Sequence, residues 1–190
     1  MVSSFPDPRG AGETFTALAE RGWWPGGPTD PNPTKNGVTQ KAYDEARGKA
    51  GLPTQSVTLM TAQEQGEIYD SYWVECWGSL VAKISGALAV CHFDAAFNAG
   101  APRAAKFLQR TAGQPEPVTG ILDQETLDDV QRICLVSEDG SVAAYLQNRW
   151  DFLQDLDNFA AWQRNWARRE NRLAQLCGVT WRVPGLETLT

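Results

Sequence analysis

SGALAVCHFDAAFNAG, residues 85–100, is apolar nearly all round once Ser85 and Gly100 are set aside as a cap and a stop. A helix with no polar face belongs in the middle of a molecule. The chain is therefore expected to wrap other elements around this one. Two polar residues interrupt it, Asp94 and Asn98, and their i, i+4 spacing puts them on one face. A buried aspartate must be paired or hydrogen-bonded, because a charge stripped of its partner costs about 3–5 kcal/mol. The pair is expected either to brace the floor of a site through backbone contacts or to meet a ligand directly.

Working outward, the neighbouring segments also read as helices. Thr61 and Glu64 form a capping box for a helix carrying Ile68, Tyr69, Tyr72, Trp73, Cys76 and Trp77. That aromatic face is mostly core, with Tyr72 or Trp73 available to edge a groove. Downstream, Pro102 starts PRAAKFLQRTAG and Gly113 closes it. Helices follow from about Gln124 to Ile133, from Ser141 to about Leu156, and from Phe159 to Leu176. The last is read with Phe159, Trp162, Trp166, Leu173 and Leu176 inward and its arginines outward. Strand signals are sparse, and only Asn36-Gly37 suggests a hairpin. The expected fold is mainly α with a small hairpin region.

Near the start lies a loop of a different character, ERGWWPGGPTDPNPTKNGVT, residues 20–39. A helix from about Thr14 to Arg21 carries Glu20 on its last turn, where the helix dipole offers a carboxylate nothing. Residues before Gly12 read as a loose lead-in, and Gly22 as a left-handed stop. Beside Glu20 come Trp23 and Trp24, a second carboxylate Asp30 between prolines, and the hydroxyls of Thr34 and Thr39. Thr39 can also cap the next helix, QKAYDEARGKAG. An acid, an aromatic platform and a second carboxylate suit carbohydrate cleavage. The plainer reading is a surface loop with a solvated glutamate and tryptophans packed on the core.

The remaining composition excludes several classes. The chain has 190 residues and a formal charge of −6, which argues against a nucleic-acid binder. Its tail is locally basic, with Arg164, Arg168, Arg169, Arg172 and Arg182. Such a face either meets an anionic surface or is simply solvated beside acidic neighbours. Cys76, Cys91, Cys134 and Cys177 form no CxxC pair and read as buried free thiols. His92 reads as a satisfied core residue, so no metal site is expected. There is no membrane-spanning apolar run, and MVSSFPDPRGAG is read as having neither the basic region nor the apolar core of a signal peptide.

The ordered set of motifs resembles family 108 of the glycoside hydrolases, a lysozyme-like muramidase family. The family's opening signature is matched by Glu20, Gly22, Trp23, Asp30-Pro31 and the run from Thr34 to Thr39. IYDSYW matches its Tyr-Trp helix end, and FDAAFNAG, FLQ and Gly113 match a second half associated with peptidoglycan binding. Arg21 stands where the family commonly has glycine, and Trp24 to Pro33 carries extra prolines. The resemblance implies one lysozyme-like domain over 12–178, with a catalytic half at 12–91, a helical half at 92–178 and a tail at 179–190. It implies cleavage of the β-1,4 bond between N-acetylmuramic acid and N-acetylglucosamine, with Glu20 as acid and with Asp30 and Thr34 placing a water. Trp23, Trp24, Thr39, Tyr72, Trp73, Asp94 and Asn98 are the candidate substrate contacts. Neither cofactor nor metal is implied, the partner is the peptidoglycan glycan strand, and a monomer is expected. So is synthesis in a host cytoplasm, with release to the wall as a phage lysin or through a secretion machine. A non-catalytic wall-binding module and a partner-binding helical protein are the alternatives.

Overall fold

The computed structural model describes residues 5–27 and 31–189. Asp7 caps the first helix, α1 (Pro8–Ala19), by accepting from Gly10 N–H, and Pro8 sits at a first-turn position where its missing donor costs nothing. The expected loose lead-in is therefore helical from Pro8 onward. The chain then forms three two-residue antiparallel strands in the order β1 (Trp23–Trp24), β2 (Thr34–Lys35) and β3 (Val38–Thr39). Trp24 stands opposite Thr34, and Thr34 opposite Thr39. Asn36 and Gly37 turn the β2–β3 hairpin with φ of 50° and 78°, the left-handed pair that a two-residue turn of this kind needs.

Thr39 caps α2 (Gln40–Lys49) through Ala42 N–H, and Thr61 with Glu64 makes the expected capping box on α3 (Ala62–Glu75). The connector between them contains a single 3-10 turn at Val57–Leu59. Trp77 does not continue α3. It adopts φ 58° and turns the chain into a short helix, α4 (Gly78–Ile84), which the apolar pattern had not separated. The turn sets Gly78 against the Trp73 ring so closely that a Cβ there would lie 2.4 Å from it.

Next come α5 (Gly86–Ala99) and α6 (Ala101–Thr111), then α7 (Gln124–Val136), α8 (Glu138–Gln154) and α9 (Phe159–Leu176). Ser85 caps α5 as read, and every residue from Gly86 to Ala96 is buried. Its neighbours are α1, α3, α4, α6 and α8. The division expected after Cys91 falls inside this helix, so both halves share one central element. Ser137, not Ser141, caps α8, because its hydroxyl reaches Gly140 N–H and draws SEDG into the first turn.

Two inward assignments on α9 fail. Trp162 and Leu176 are exposed, while Ala167, Glu170, Asn171, Leu173 and Ala174 are buried. The tail packs back on this helix: Asn171 Nδ2 donates to the carbonyls of Leu186 and Leu189, and its Oδ1 accepts from Val183 N–H. Trp181 Nε1 donates to Gln147. His92 is a satisfied core residue, with Nε2 at 2.9 Å from the Cys76 carbonyl and Nδ1 at 3.1 Å from Tyr145 Oη. The cysteines are free and buried. Among the described residues no helix is long and apolar enough to cross a membrane.

The Gly78 contact gives a stability test. Gly78→Ala drives a methyl into a buried ring, and equilibrium denaturation should show a loss of about 1–3 kcal/mol, the usual range for overpacking.

Candidate active site

Gly12, Thr16 and Glu20 lie four residues apart along one stripe of α1, the stripe that faces α5. Gly12 lets the helices close up: a Cβ there would be 3.2 Å from Phe93. Thr16 is buried, and its Oγ1 donates to Asp94 Oδ1 at 2.9 Å. Glu20 then caps the helix, its N–H bonded to the Thr16 carbonyl, with a quarter of its side chain still exposed.

Glu20 is held from two directions. Arg169 of α9 donates Nη1 to Glu20 Oε1 while its Nε and Nη2 grip Asp94 as a fork, at 3.0 and 2.6 Å. On the other side stands the hairpin turn. A Cβ on Gly37 would lie 2.8 Å from Glu20 Cβ, 2.9 Å from its Cγ and 2.7 Å from Phe97. The turn is itself anchored, since Gly22 N–H donates to Asn36 Oδ1, Asn36 N–H donates to the Gly22 carbonyl, and Tyr69 Oη donates to the Asn36 carbonyl. Gly37 thus serves twice, once for its φ and once for its lack of a side chain.

Beneath lies a buried ion cluster. Arg149 of α8 donates Nη1 to Asp94 Oδ2 at 2.7 Å, and its Nε lies 3.1 Å from Glu170 Oε1. Burial alone would raise the Asp94 pKa, but the charges and hydrogen bonds of Arg169 and Arg149 outweigh it and hold the group well below the carboxylate range. Burial would lower both arginines, and the carboxylates reverse that as well.

The candidates read from sequence are distributed unevenly around this frame. Trp23 and Trp24 are 49% and 46% exposed, and as successive strand residues they face opposite sides of β1. Thr34 is half-buried on β2, its Oγ1 donating to the Asn32 carbonyl. Asp30 lies outside the described residues. Thr39 spends its hydroxyl on the α2 cap. Tyr72 rests on Phe97 at 5.0 Å and lines a cavity of about 370 Å³ between α2 and α3 whose walls do not include Glu20. Trp73 is buried against Phe93 and Gly78, with Nε1 donating to Ser79, so it has no surface for a sugar. Asp94 is fully buried, and its partners are side chains of three other helices rather than backbone. Asn98 braces that residue's carbonyl through Nδ2.

Reading the sequence missed Arg149, Arg169 and Glu170. A signal existed for Arg149, which continues the inner stripe of Val142, Tyr145 and Leu146, and for Glu170, which lies in phase with Ala167 and Ala174. Arg169 reaches inward from the edge of that stripe.

The central apolar helix, the small sheet and the glutamate at the end of α1 define a mainly α, lysozyme-like fold. Residues 15–100 match the family model Glycosyl hydrolase 108, a span from Phe15 through α5 that contains Glu20 and Asp94. Among solved structures, that of Brucella abortus SagA is similar over 89% of this chain and 92% of that chain, with a TM-score of 0.73 and 21% identity. No curated protein sequence matches the chain.

Two substitutions test the frame. Asp94→Asn removes the charge opposite two buried arginines, and chemical denaturation at pH 7 should show a loss of about 3–5 kcal/mol. The folded pKa of Asp94 lies below its ordinary 3.8, so its contribution is complete above that pH and lost as pH falls below it; the wild-type advantage over Asp94→Asn should shrink in acid. Gly37→Ala pushes on the Glu20 stem, and should cost about 1–3 kcal/mol of stability for backbone strain together with a measurable displacement of Glu20 in a crystal structure.

Proposed function

We propose that the protein is a peptidoglycan glycosidase that cleaves the β-1,4 bond between N-acetylmuramic acid and N-acetylglucosamine, with Glu20 as general acid. The observation that carries this reading is the mounting of Glu20: a partly exposed carboxyl locked between a hairpin turn and a buried ion cluster. A surface glutamate with no task needs no such support. The family match over residues 15–100 points the same way.

In this reaction Glu20 gives its proton to the glycosidic oxygen as the C1–O bond breaks, and the electron pair of that bond leaves with the oxygen. The sugar left behind has oxocarbenium character and is met on its other face by water. Asp30, with Thr34, is the proposed holder of that water. Trp23 or Trp24, whichever faces the glycan, supplies the stacking platform.

Arg169 has a definite part in this chemistry. An arginine with no other partner would bind a glutamate as its only counter-ion. Here two of its donors belong to Asp94, so Glu20 is oriented by a cation whose charge is largely met elsewhere. The protein acts at the cell wall after release from the cell that makes it.

Purified protein and its Glu20→Gln variant should be incubated with purified sacculi, with turbidity followed and soluble products identified by mass spectrometry. Wild type should release muropeptides with muramic acid at the reducing end, and the variant should release at least 100-fold fewer, the lower range for loss of a general acid. Binding of both proteins to sacculi with no release by either would make the chain a wall-binding module.

A further inference from the structure

Glu170 is the one carboxylate of the buried cluster that the chemistry above leaves without a task. It is fully buried on α9, next to Arg169. Its Oε1 lies 3.1 Å from Arg149 Nε but away from the N–H direction, so neither of its oxygens accepts a hydrogen bond among the described residues. Arg149, Asp94 and Arg169 act on it electrostatically, and it acts in turn on Tyr145 of α8 and Cys91 of α5. Beyond these, Tyr145 Oη meets His92, and Cys91 Sγ lies 3.5 Å from Cys177 Sγ.

Most of these groups keep one charge state around neutral pH. Burial lowers His92 to about 4 and pushes Cys91 and Tyr145 well above their ordinary values. The arginines stay charged, and they hold Asp94 ionised. Burial raises Glu170 to about 7 against the pull of Arg149.

The cluster holds three carboxylates, Glu20, Asp94 and Glu170, against two guanidiniums, Arg149 and Arg169. It is electrically balanced when it carries one proton. Asp94, gripped by both arginines and Thr16, does not take that proton. Either Glu170 carries it and Glu20 is the carboxylate on Arg169, or Glu20 carries it and Glu170 is the carboxylate beside Arg149. A general acid works from the second arrangement.

We propose that Glu170 is a positioning residue for Glu20: by standing as the carboxylate opposite Arg149, it lets Glu20 hold its proton without leaving the buried arginines a counter-charge short. This rests on the reading of Glu20 as the acid. As Glu170 ionises, Arg149 turns toward it and gives less to Asp94, Asp94 claims more of Arg169, and the grip of Arg169 on Glu20 loosens.

Glu170→Gln keeps the shape and fixes the neutral state. Release of reducing ends from sacculi by wild type and variant should be compared from pH 5 to pH 8. The two kcat values should agree at pH 5 and differ at least 3-fold in favour of wild type at pH 8, with KM unchanged. A ratio constant across that range overturns the proposal, since a merely structural role lowers activity alike at every pH.

Urea unfolding of both proteins over the same range needs no turnover. The raised folded pKa of Glu170 makes its contribution complete below its ordinary 4.5 and lost as pH rises through about 7, so wild type should lose stability relative to the variant. Parallel pH dependences overturn the proposal independently. If wild type shows this extra loss but cleaves no glycan, the glycosidase reading fails, and the task given to Glu170 fails with it.

Discussion

A carboxylate with no access to water must find its partners inside the protein, and Asp94 imposes that demand at the middle of the most buried helix. Its two oxygens accept from Thr16 on α1, Arg149 on α8 and Arg169 on α9. These are segments 78, 55 and 75 residues away in sequence, and the one group ties them together. A buried ion pair of this kind adds little net stability over an apolar replacement of the same shape, because desolvation offsets most of the attraction. What it contributes is geometry. The guanidinium fork fixes where α9 lies against α5, and that placement brings the free arm of Arg169 to Glu20.

The opposite wall of Glu20 comes from the small sheet, and here the constraint is steric. Gly37 packs on the glutamate stem and on Phe97, with no room for a methyl group. The hairpin is fastened to α3 through Tyr69 and Gln65, and Lys35 Nζ ties it to the carbonyls of Thr58 and Met60. Glu20 is therefore confined by charge on one side and by contact on the other. Its own helix fixes the third direction, because Gly12 and Thr16 lock the same stripe of α1 against α5. A carboxyl held in this way sits on rigid elements although it begins a loop.

The main helices were legible because their signals are local. Ser85, Thr39 and the Thr61–Glu64 box start helices where their hydroxyls reach free N–H groups, and Asn36-Gly37 turns a hairpin because both residues accept positive φ. The place of Glu20 at the end of the first helix, ahead of the aromatic loop, was legible for the same reason. Errors arose where a distant contact decides. Trp77 breaks α3 with a positive φ and sets Gly78 against Trp73, and nothing in the local pattern announces that contact. The arginines of α9 were assigned to solvent because arginine usually goes there, yet Arg169 turns inward to meet an aspartate 75 residues earlier. Asp94 was correctly expected to need partners, but sequence periodicity names the face a residue occupies and not what stands opposite.

The same ion cluster joins the two halves of the chain, 12–91 and 92–178. Residues 15–100, the span that matches the family model, hold Glu20 and Asp94 but neither arginine. Left alone, that span would contain a buried aspartate with only the Thr16 hydroxyl to meet it, and a glutamate with no cation to orient it. Both missing charges come from α8 and α9, together with the third carboxylate. The second half thus supplies part of the surroundings of Glu20. The charges that face Glu20 are therefore ones that only the two halves together supply.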